Sequence, residues 1–324
     1  MDESLQAQMT ALNTQGTQFH LQGKLQKAAE CYGQALAIDP ENPTAHNNLG
    51  FLLAQQRQWK PALEHLQWAV AGEPKNANFL ANLGQTLAAT GSVQDGLDLL
   101  IKAANLDSAN VQVWDNLGRL RLNMGDNPGA ENAWRQALRH AQYDARIITS
   151  LATAIAMQNR HAEAIDLFQQ ALELNPSYAD AWAQLGVSLF LRQDFGSARE
   201  ALQKTLTLDA ANFIALRHLG YVHMSLGDKP QALQSFKTLL NYYPDADAVR
   251  LDYAVLLLSE GQNDAAREHM AFLYGKDNQS ERVRFYYGLS LYQSAEKDQA
   301  FEVWGPLAES ESPYQQKIAE FVRD

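Results

Sequence analysis

The sequence of 324 residues contains little cysteine, few positive charges and no long apolar run. Cys31 is the single cysteine, so no intrachain disulfide can form and the fold does not depend on an oxidising compartment. No stretch reaches the roughly 18 apolar residues of a membrane span, and the first residues lack the pattern of a signal peptide. We therefore expect a cytoplasmic protein without direct membrane insertion. A periplasmic or membrane-tethered location stays open if a targeting segment has been removed.

The charge balance excludes two classes of partner. Lys and Arg number 26 against 37 Asp and Glu, which gives a net charge of −11. Nucleic acids and anionic membranes are bound through basic faces, so we expect neither as a partner. With 46% hydrophobic residues and only 10 Pro and 19 Gly, the chain is neither disordered nor collagen-like.

The sequence also lacks recognisable catalytic and metal-binding motifs. The eight histidines form no i, i+4 pair, which a zinc-binding helix would need. No glycine-rich dinucleotide motif, phosphate loop or nucleophile elbow is present. We therefore expect no enzymatic activity, no cofactor and no metal.

The dominant feature of the sequence is a repeat of 34 residues. Nine units fit without insertion or deletion, and they start at Met9, Pro43, Ala77, Val111, Ala145, Ala179, Phe213, Asp247 and Glu281. The eighth position is glycine or alanine in every unit, and so is the twentieth. Small residues at two fixed positions indicate that two helices cross so closely that a larger side chain would collide.

Each unit has the pattern of a helix, a turn and a second helix. Apolar residues at the seventh and eleventh positions, such as Leu83 and Leu87, lie on one helical face. Glycine recurs at the fifteenth position of five units, where it can end the first helix. A large residue such as Tyr32 occupies the twenty-fourth position, and a proline such as Pro40 follows the second helix.

The segment from Trp182 to Gly186, followed by Leu189 and Ala198 and preceded by Pro176, resembles the tetratricopeptide repeat. A single such unit cannot bury its own apolar face, so the units must stack. The resemblance implies an all-α fold, an α-solenoid of about nine helix–turn–helix units. It further implies a right-handed superhelix in which the first helix of each unit lines a concave groove.

The register divides the chain into three parts: a lead-in over residues 1–8, the nine units over 9–314, and the end of a capping helix over 315–324. Tyr314, Ile318 and Phe321 share one face of that last helix. A capping helix is expected where the final unit of a solenoid would otherwise expose an apolar interface.

One column of asparagines suggests a binding surface. Asn48, Asn82 and Asn116 occupy the sixth position of three successive units, on the face that would line the groove. Asparagine forms helices poorly, and its carboxamide can pair with a peptide backbone. The column resembles the asparagine ladder of the repeat superhelix in O-GlcNAc transferases, which implies backbone recognition. The neighbouring amides that extend the site are Asn78, Gln85 and Gln112. The alternative is a solvated helix face.

The second half of the groove has a different composition, in which arginines alternate with aromatic residues. The predicted contacts there are Arg146, Arg217, His218, Tyr221, Arg282 and Tyr286. Such a mixture is typical of protein-binding hot spots. The alternative is structural: Phe285, Leu289 and Tyr292 would face the capping helix instead of a ligand.

These features predict a non-catalytic adaptor or scaffold that binds a peptide or protein partner in the groove. Two alternatives stay open. One is a structural assembly factor of a bacterial secretion, pilus or polysaccharide-export system, or a self-associating scaffold that forms a homo-oligomer. The other is the detached regulatory part of a glycosyltransferase or another enzyme.

Overall fold

The structure is a computed structural model that describes residues 3–308 and 310–323. Within these ranges all regular secondary structure is helical. The predicted all-α repeat fold is confirmed. The chain forms two compact units, Met1–Asn175 and Pro176–Asp324, called here the N-terminal unit and the C-terminal unit. No helix in the described ranges has both the length and the apolar character needed to cross a bilayer.

The helices of the N-terminal unit come in consecutive pairs. They are α1 (Glu3–Leu21), α2 (Leu25–Ile38), α3 (Pro43–Gln55), α4 (Trp59–Gly72), α5 (Ala77–Ala89), α6 (Val93–Leu106), α7 (Val111–Asn123), α8 (Asn127–Leu138), α9 (Ala145–Ala156) and α10 (His161–Leu174).

The C-terminal unit continues the same alternation and ends with one additional helix. Its helices are α11 (Ala179–Leu191), α12 (Phe195–Leu208), α13 (Phe213–Ser225), α14 (Lys229–Tyr242), α15 (Asp247–Ser259), α16 (Asn263–Lys276), α17 (Glu281–Gln293), α18 (Lys297–Ala308) and α19 (Gln315–Arg323).

The 34-residue period sets where the helices begin. From α3 onwards, each odd-numbered helix starts 34 residues after the previous one. Most of them follow a short polar side chain that accepts a backbone N–H of the first turn and so satisfies a donor that the helix leaves unpaired. These caps are Asn42, Asn76, Asn110, Asp144, Asn212 and Ser280.

The turn inside each helix pair uses a left-handed residue. The predicted turn glycines, Gly23, Gly91, Gly125, Gly227 and Gly261, have φ between 70° and 100°. At the same position the other four pairs use Arg57, Asn159, Gln193 and Ala295, with φ between 58° and 64°. The backbone therefore keeps one turn geometry even where the sequence lacks glycine, at a conformational cost.

The close helix crossings inferred from the small residues are present. A Cβ atom built on Gly118 would lie 2.6 Å from the ring of Trp134, and one built on Gly96 would lie 2.5 Å from the carbonyl oxygen of Gly84. Trp134 is 1% exposed, as expected for the large residue at the twenty-fourth position. Glycine at the crossing therefore makes the space that this side chain fills.

The predicted capping helix is confirmed as α19. Ile318 on its inner face is 1% exposed. The Tyr314 ring just before α19 stacks on Phe285 with centroids 4.4 Å apart, and Phe321 lies 5.2 Å from Tyr292. Tyr292 therefore packs against α19, and Phe285 packs against Tyr314, which was expected within the last helix but lies in the turn just before it.

Candidate functional site

The three predicted asparagines lie on successive odd-numbered helices of the N-terminal unit. Asn48 is on α3 and Asn82 on α5, both half-buried, while Asn116 on α7 is 5% exposed. The Asn82 Nδ2 donates to Oδ1 of Asn47 at 2.9 Å, and Asn47 Nδ2 donates to Oδ1 of Asn48 at 3.3 Å. The first two asparagines are thus joined through Asn47, a residue outside the predicted column.

Each asparagine keeps part of its carboxamide available. The Oδ1 of Asn116 accepts from Nε2 of Gln112 and from Nη2 of Arg119, both at 3.0 Å. Among the described residues, Nδ2 of Asn48, Oδ1 of Asn82 and Nδ2 of Asn116 have no hydrogen-bond partner. One amide atom of each residue can therefore pair with a ligand backbone, one bond per residue.

Two clefts adjoin this column. The smaller, of about 420 Å³, is named the polar cleft, and its lining includes Asn82, Gln85, Gln112, Asn116 and Arg119 together with Phe51 and Trp59. The larger, of about 660 Å³, is named the apolar cleft, and its lining includes Val93, Leu100, Leu120, Leu122 and Trp134. Four residues line both clefts: Gln85, Ala89, Asn116 and Arg119.

Arg119 is the residue of this site that sequence reasoning missed. It is exposed on α7, three residues after Asn116, at the wall that the clefts share. It belongs to the same helical stripe as Asn116, so its position could have been noticed. Its charge stands out only once the structure shows that no Asp or Glu lines either cleft in the described ranges.

Two other predicted contacts of the N-terminal unit have partners within the chain. Arg146 Nη1 lies 2.5 Å from Oδ2 of Asp115, whose side chain is 1% exposed and also accepts from Trp134 Nε1 at 2.9 Å. Arg146 therefore compensates a buried carboxylate. Asn78 is exposed, and its Oδ1 accepts from Nδ2 of the helix cap Asn110 at 2.9 Å.

In the C-terminal unit, two predicted contact residues bind Asp252, and a third lies against one of them. Tyr221 donates its hydroxyl to Oδ2 of Asp252 at 2.7 Å, and Arg282 Nη2 donates to Oδ1 at 3.2 Å. The guanidinium of Arg217 lies 5.6 Å from the Tyr221 ring centroid. Burial raises the pKa of Tyr221, with a further contribution from Asp252 and opposition from Arg217. The hydroxyl therefore stays protonated and acts as a donor.

The remaining predicted residues of this unit have mainly internal contacts. His218 Nδ1 lies 2.9 Å from the Ile214 carbonyl oxygen, and burial lowers the pKa of His218, as does nearby Arg217. Tyr286 is half-buried and packs edge-to-face on Phe285 with centroids 5.2 Å apart. In residues 3–308 and 310–323, no three His, Cys, Asp or Glu side chains converge as a metal site would require.

Comparison with known proteins gives two family matches. The model described as the Cilia and flagella-associated protein 70 C-terminal domain matches residues 1–213. A tetratricopeptide-repeat model matches residues 223–284.

Relatives and solved structures are similar at low identity. Bovine (Bos taurus) BBSome complex member BBS4 is 22% identical over 224 residues, 69% of this chain and 43% of the relative. Human (Homo sapiens) protein O-mannosyl-transferase TMTC3 is 23% identical over 305 residues, 88% of this chain and 30% of the relative. The APC/C hetero-tetramer Cut9-Hcn1 matches with a TM-score of 0.63 and 15% identity, covering 82% of this chain and 52% of that chain.

The chain spans 43% and 50% of the bovine and mouse (Mus musculus) BBS4 proteins, so it corresponds to about half of these relatives. The structural likeness to Cut9-Hcn1 supports the helical repeat fold alone. The tetratricopeptide-repeat resemblance seen in the sequence is confirmed by the two family matches. Since one model covers 213 of 324 residues, the chain belongs to the family of the Cilia and flagella-associated protein 70 C-terminal domain, a family of tetratricopeptide repeats.

Proposed function

We propose that this chain is a non-catalytic protein-interaction scaffold that holds an extended peptide segment of a partner protein in the N-terminal unit. The observation that carries the proposal is the row of unpaired amide atoms on Asn48, Asn82 and Asn116. These residues lie on three successive odd-numbered helices, and the last two line the polar cleft. An extended backbone offers donors and acceptors in sequence, whereas a helix has already paired its own.

The energetics set the kind of binding to expect. A hydrogen bond contributes about 0.5–1.5 kcal/mol net, so three of them supply about 2–4 kcal/mol, independent of the ligand's sequence. This alone corresponds to weak affinity, in the millimolar range at about 4 kcal/mol. Selectivity and further affinity would then come from the side chains that enter the polar and apolar clefts.

The relatives are consistent with a partner protein. BBS4 is named as a member of the BBSome complex. The cluster around Asp252 in the C-terminal unit offers a second contact surface, to which Arg217 and Arg282 would contribute. Absence of catalysis is part of the proposal, since one relative is named as a transferase and this chain covers 30% of it.

A selection from random peptides tests the proposal. The full chain is used to enrich short peptides from a phage-displayed library, and the enriched peptides are measured by fluorescence anisotropy. We expect the variant Asn48→Ala, Asn82→Ala, Asn116→Ala to lose about tenfold or more in affinity, which corresponds to about 1.4 kcal/mol or more.

Two further variants locate the binding surface. Ala89→Trp should abolish binding, because exposed Ala89 lines both clefts. The matched control Ala71→Trp adds the same bulk at an exposed position near the end of α4 and should bind normally. Peptides that bind the Ala89→Trp variant as well as the wild type would contradict the proposed groove. Sedimentation equilibrium distinguishes the alternative of a self-associating scaffold, which requires a concentration-dependent oligomer.

A further inference from the structure

We infer that the partner segment carries an acidic residue close to a bulky apolar residue, and that Arg119 binds the acidic one. The inference rests on the proposed function, because it assigns the chemistry of the ligand to the same clefts. It goes further by naming what the clefts select.

The first support is the charge of the site. Arg119 is exposed at the wall between the clefts, and its contact among the described residues is the hydrogen bond to Oδ1 of Asn116. The other arginines of α7 to α9 behave differently, with one exception, Arg139. Arg121, Arg135 and Arg146 each lie within 4 Å of a carboxylate.

The lack of a carboxylate partner for Arg119 among the described residues indicates what group a ligand would bring to it. The chain has 37 acidic residues against 26 basic ones, yet no Asp or Glu of the described ranges lines either cleft. A guanidinium held between two clefts matches a carboxylate in geometry and charge, and it can form two parallel hydrogen bonds with it. The complementary ligand group is therefore an Asp or Glu side chain.

The second support is the difference between the two clefts. The apolar cleft, of about 660 Å³, has an apolar part formed by Val93, Leu100, Leu120 and Trp134, beside polar side chains that include Asn123, Ser150 and Thr153. Its apolar part accepts a bulky aliphatic or aromatic side chain. The polar cleft, of about 420 Å³, presents the amides of Asn82 and Gln112 and suits a backbone stretch.

The order of these features along the groove fixes the order of the ligand. Arg119 and Asn116 line both clefts, so a bound carboxylate lies between the stretch held in the polar cleft and the side chain held in the apolar cleft. The acidic and apolar residues of the segment must therefore be separated by a few residues at most. A segment that presents a basic residue at this place would meet Arg119 and be rejected.

The experiment is a double-mutant cycle on the full chain, using the peptides enriched as described above. The acidic residue of the peptide is exchanged for its amide, and Arg119 is exchanged for Gln. Against wild-type protein the amide peptide should bind about tenfold more weakly. Against Arg119→Gln, the acidic and amide peptides should bind equally well. Arg119→Lys keeps the positive charge but cannot form two parallel hydrogen bonds with a carboxylate, so it should retain part of the preference for the acidic peptide.

A matched control separates local from general charge effects. Arg139 is exposed, has no carboxylate within salt-bridge distance among the described residues, and lines neither cleft, so Arg139→Gln should leave the preference for the acidic peptide intact. Circular dichroism of all variants should show unchanged helicity, since both arginines are at the surface.

The outcomes distinguish this inference from the proposed function. Failure to enrich any peptide, or binding that Ala89→Trp leaves intact, counts against the groove itself. Peptides that require the groove but have no acidic residue would overturn the role of Arg119 alone. The same holds if Arg119→Gln leaves the preference unchanged, or if Arg139→Gln removes it equally.

Discussion

Gly84 and Gly96 meet at the crossing of α5 and α6. For the substitution Gly96→Ala, the structure and the repeat pattern predict opposite effects on the free energy of unfolding. Gly96 is the glycine at a position where every other unit has alanine, so the repeat pattern alone favours Gly96→Ala. The structure predicts the opposite, because a Cβ atom there would lie 2.5 Å from the Gly84 carbonyl oxygen and 3.0 Å from the Ala88 Cβ and N atoms.

The magnitude follows from two opposing contributions. Replacing glycine by alanine inside a helix stabilises by about 1 kcal/mol. Overpacking a close contact costs about 1–3 kcal/mol, and the atom to be displaced here is backbone. The net effect on the free energy of unfolding is therefore a loss of up to about 2 kcal/mol. Gly33 is the matched control, because it is exposed in α2 with no atom within 4 Å of a built Cβ.

Urea unfolding of both variants, followed by circular dichroism, measures the difference. Gly33→Ala should raise the unfolding midpoint, in line with a gain of about 0.5–1 kcal/mol, while Gly96→Ala should lower it. Both residues belong to the N-terminal unit, so they report on the same transition. Equal stabilisation by the two variants would refute the close approach of α5 and α6.

Three further outcomes are expected. Arg146→Gln should lower the free energy of unfolding by about 1–2 kcal/mol, because it leaves the carboxylate of Asp115, which is 1% exposed, without its cation. The loss stays moderate because water can enter the space that the arginine leaves, and a loss below about 0.5 kcal/mol in urea unfolding would contradict this. Ala295→Gly should raise the melting temperature of the C-terminal unit by relieving a φ of 64°, and a lower melting temperature would show that the turn is unstrained. Burial and the neighbouring His46 lower the pKa of His65 in the folded protein. As the pH falls below about 6.5, the unfolded state therefore binds a proton before the folded state does, and the free energy of unfolding decreases until the pH reaches the lowered pKa of the folded state. His65→Gln should weaken this dependence in unfolding midpoints measured from about pH 7 to about pH 5, and an unchanged slope would exclude His65 as its source.

Much of the fold could be predicted because the close helix crossing constrains residue size directly. A residue such as Gly118 has to be small when Trp134 packs over it, and that constraint recurs in each unit and appears as a period in the sequence. The turns show the limit of this reasoning. Gln193 and Ala295 adopt the same left-handed conformation as the turn glycines, so the geometry is kept by the flanking helices and is not visible in the residue type.

The site was less predictable, because residue type does not distinguish a cap from a binding group. Asn76 and Asn110 also stand 34 residues apart, yet they cap helices, whereas Asn82 and Asn116 face the clefts. Only the position relative to the start of the helix separates these roles. Arg146 shows the complementary limit: its partner Asp115 lies 31 residues earlier in the sequence, and its burial is known only from the packing.

Some residue types that looked unlike one another perform the same role. Trp114 Nε1 donates at 2.9 Å to the carbonyl oxygen six residues earlier, and Trp182 does the same. Arg250 and Arg284 occupy the same place in their units and make the same bond with their guanidinium groups. The common requirement is an N–H donor at the end of a long side chain, and sequence similarity does not reveal it.

Site-specific photo-crosslinking tests the peptide site most directly. Gln112 is exposed and lines the polar cleft, so a benzoylphenylalanine placed there should crosslink to an enriched peptide, while the same group at Ala71 on α4 should not. The reaction is read by mass spectrometry of the full chain. Crosslinking at Gln112 that disappears in the Ala89→Trp variant is the predicted result. Crosslinking at Ala71 with none at Gln112 would contradict the peptide site in the N-terminal unit.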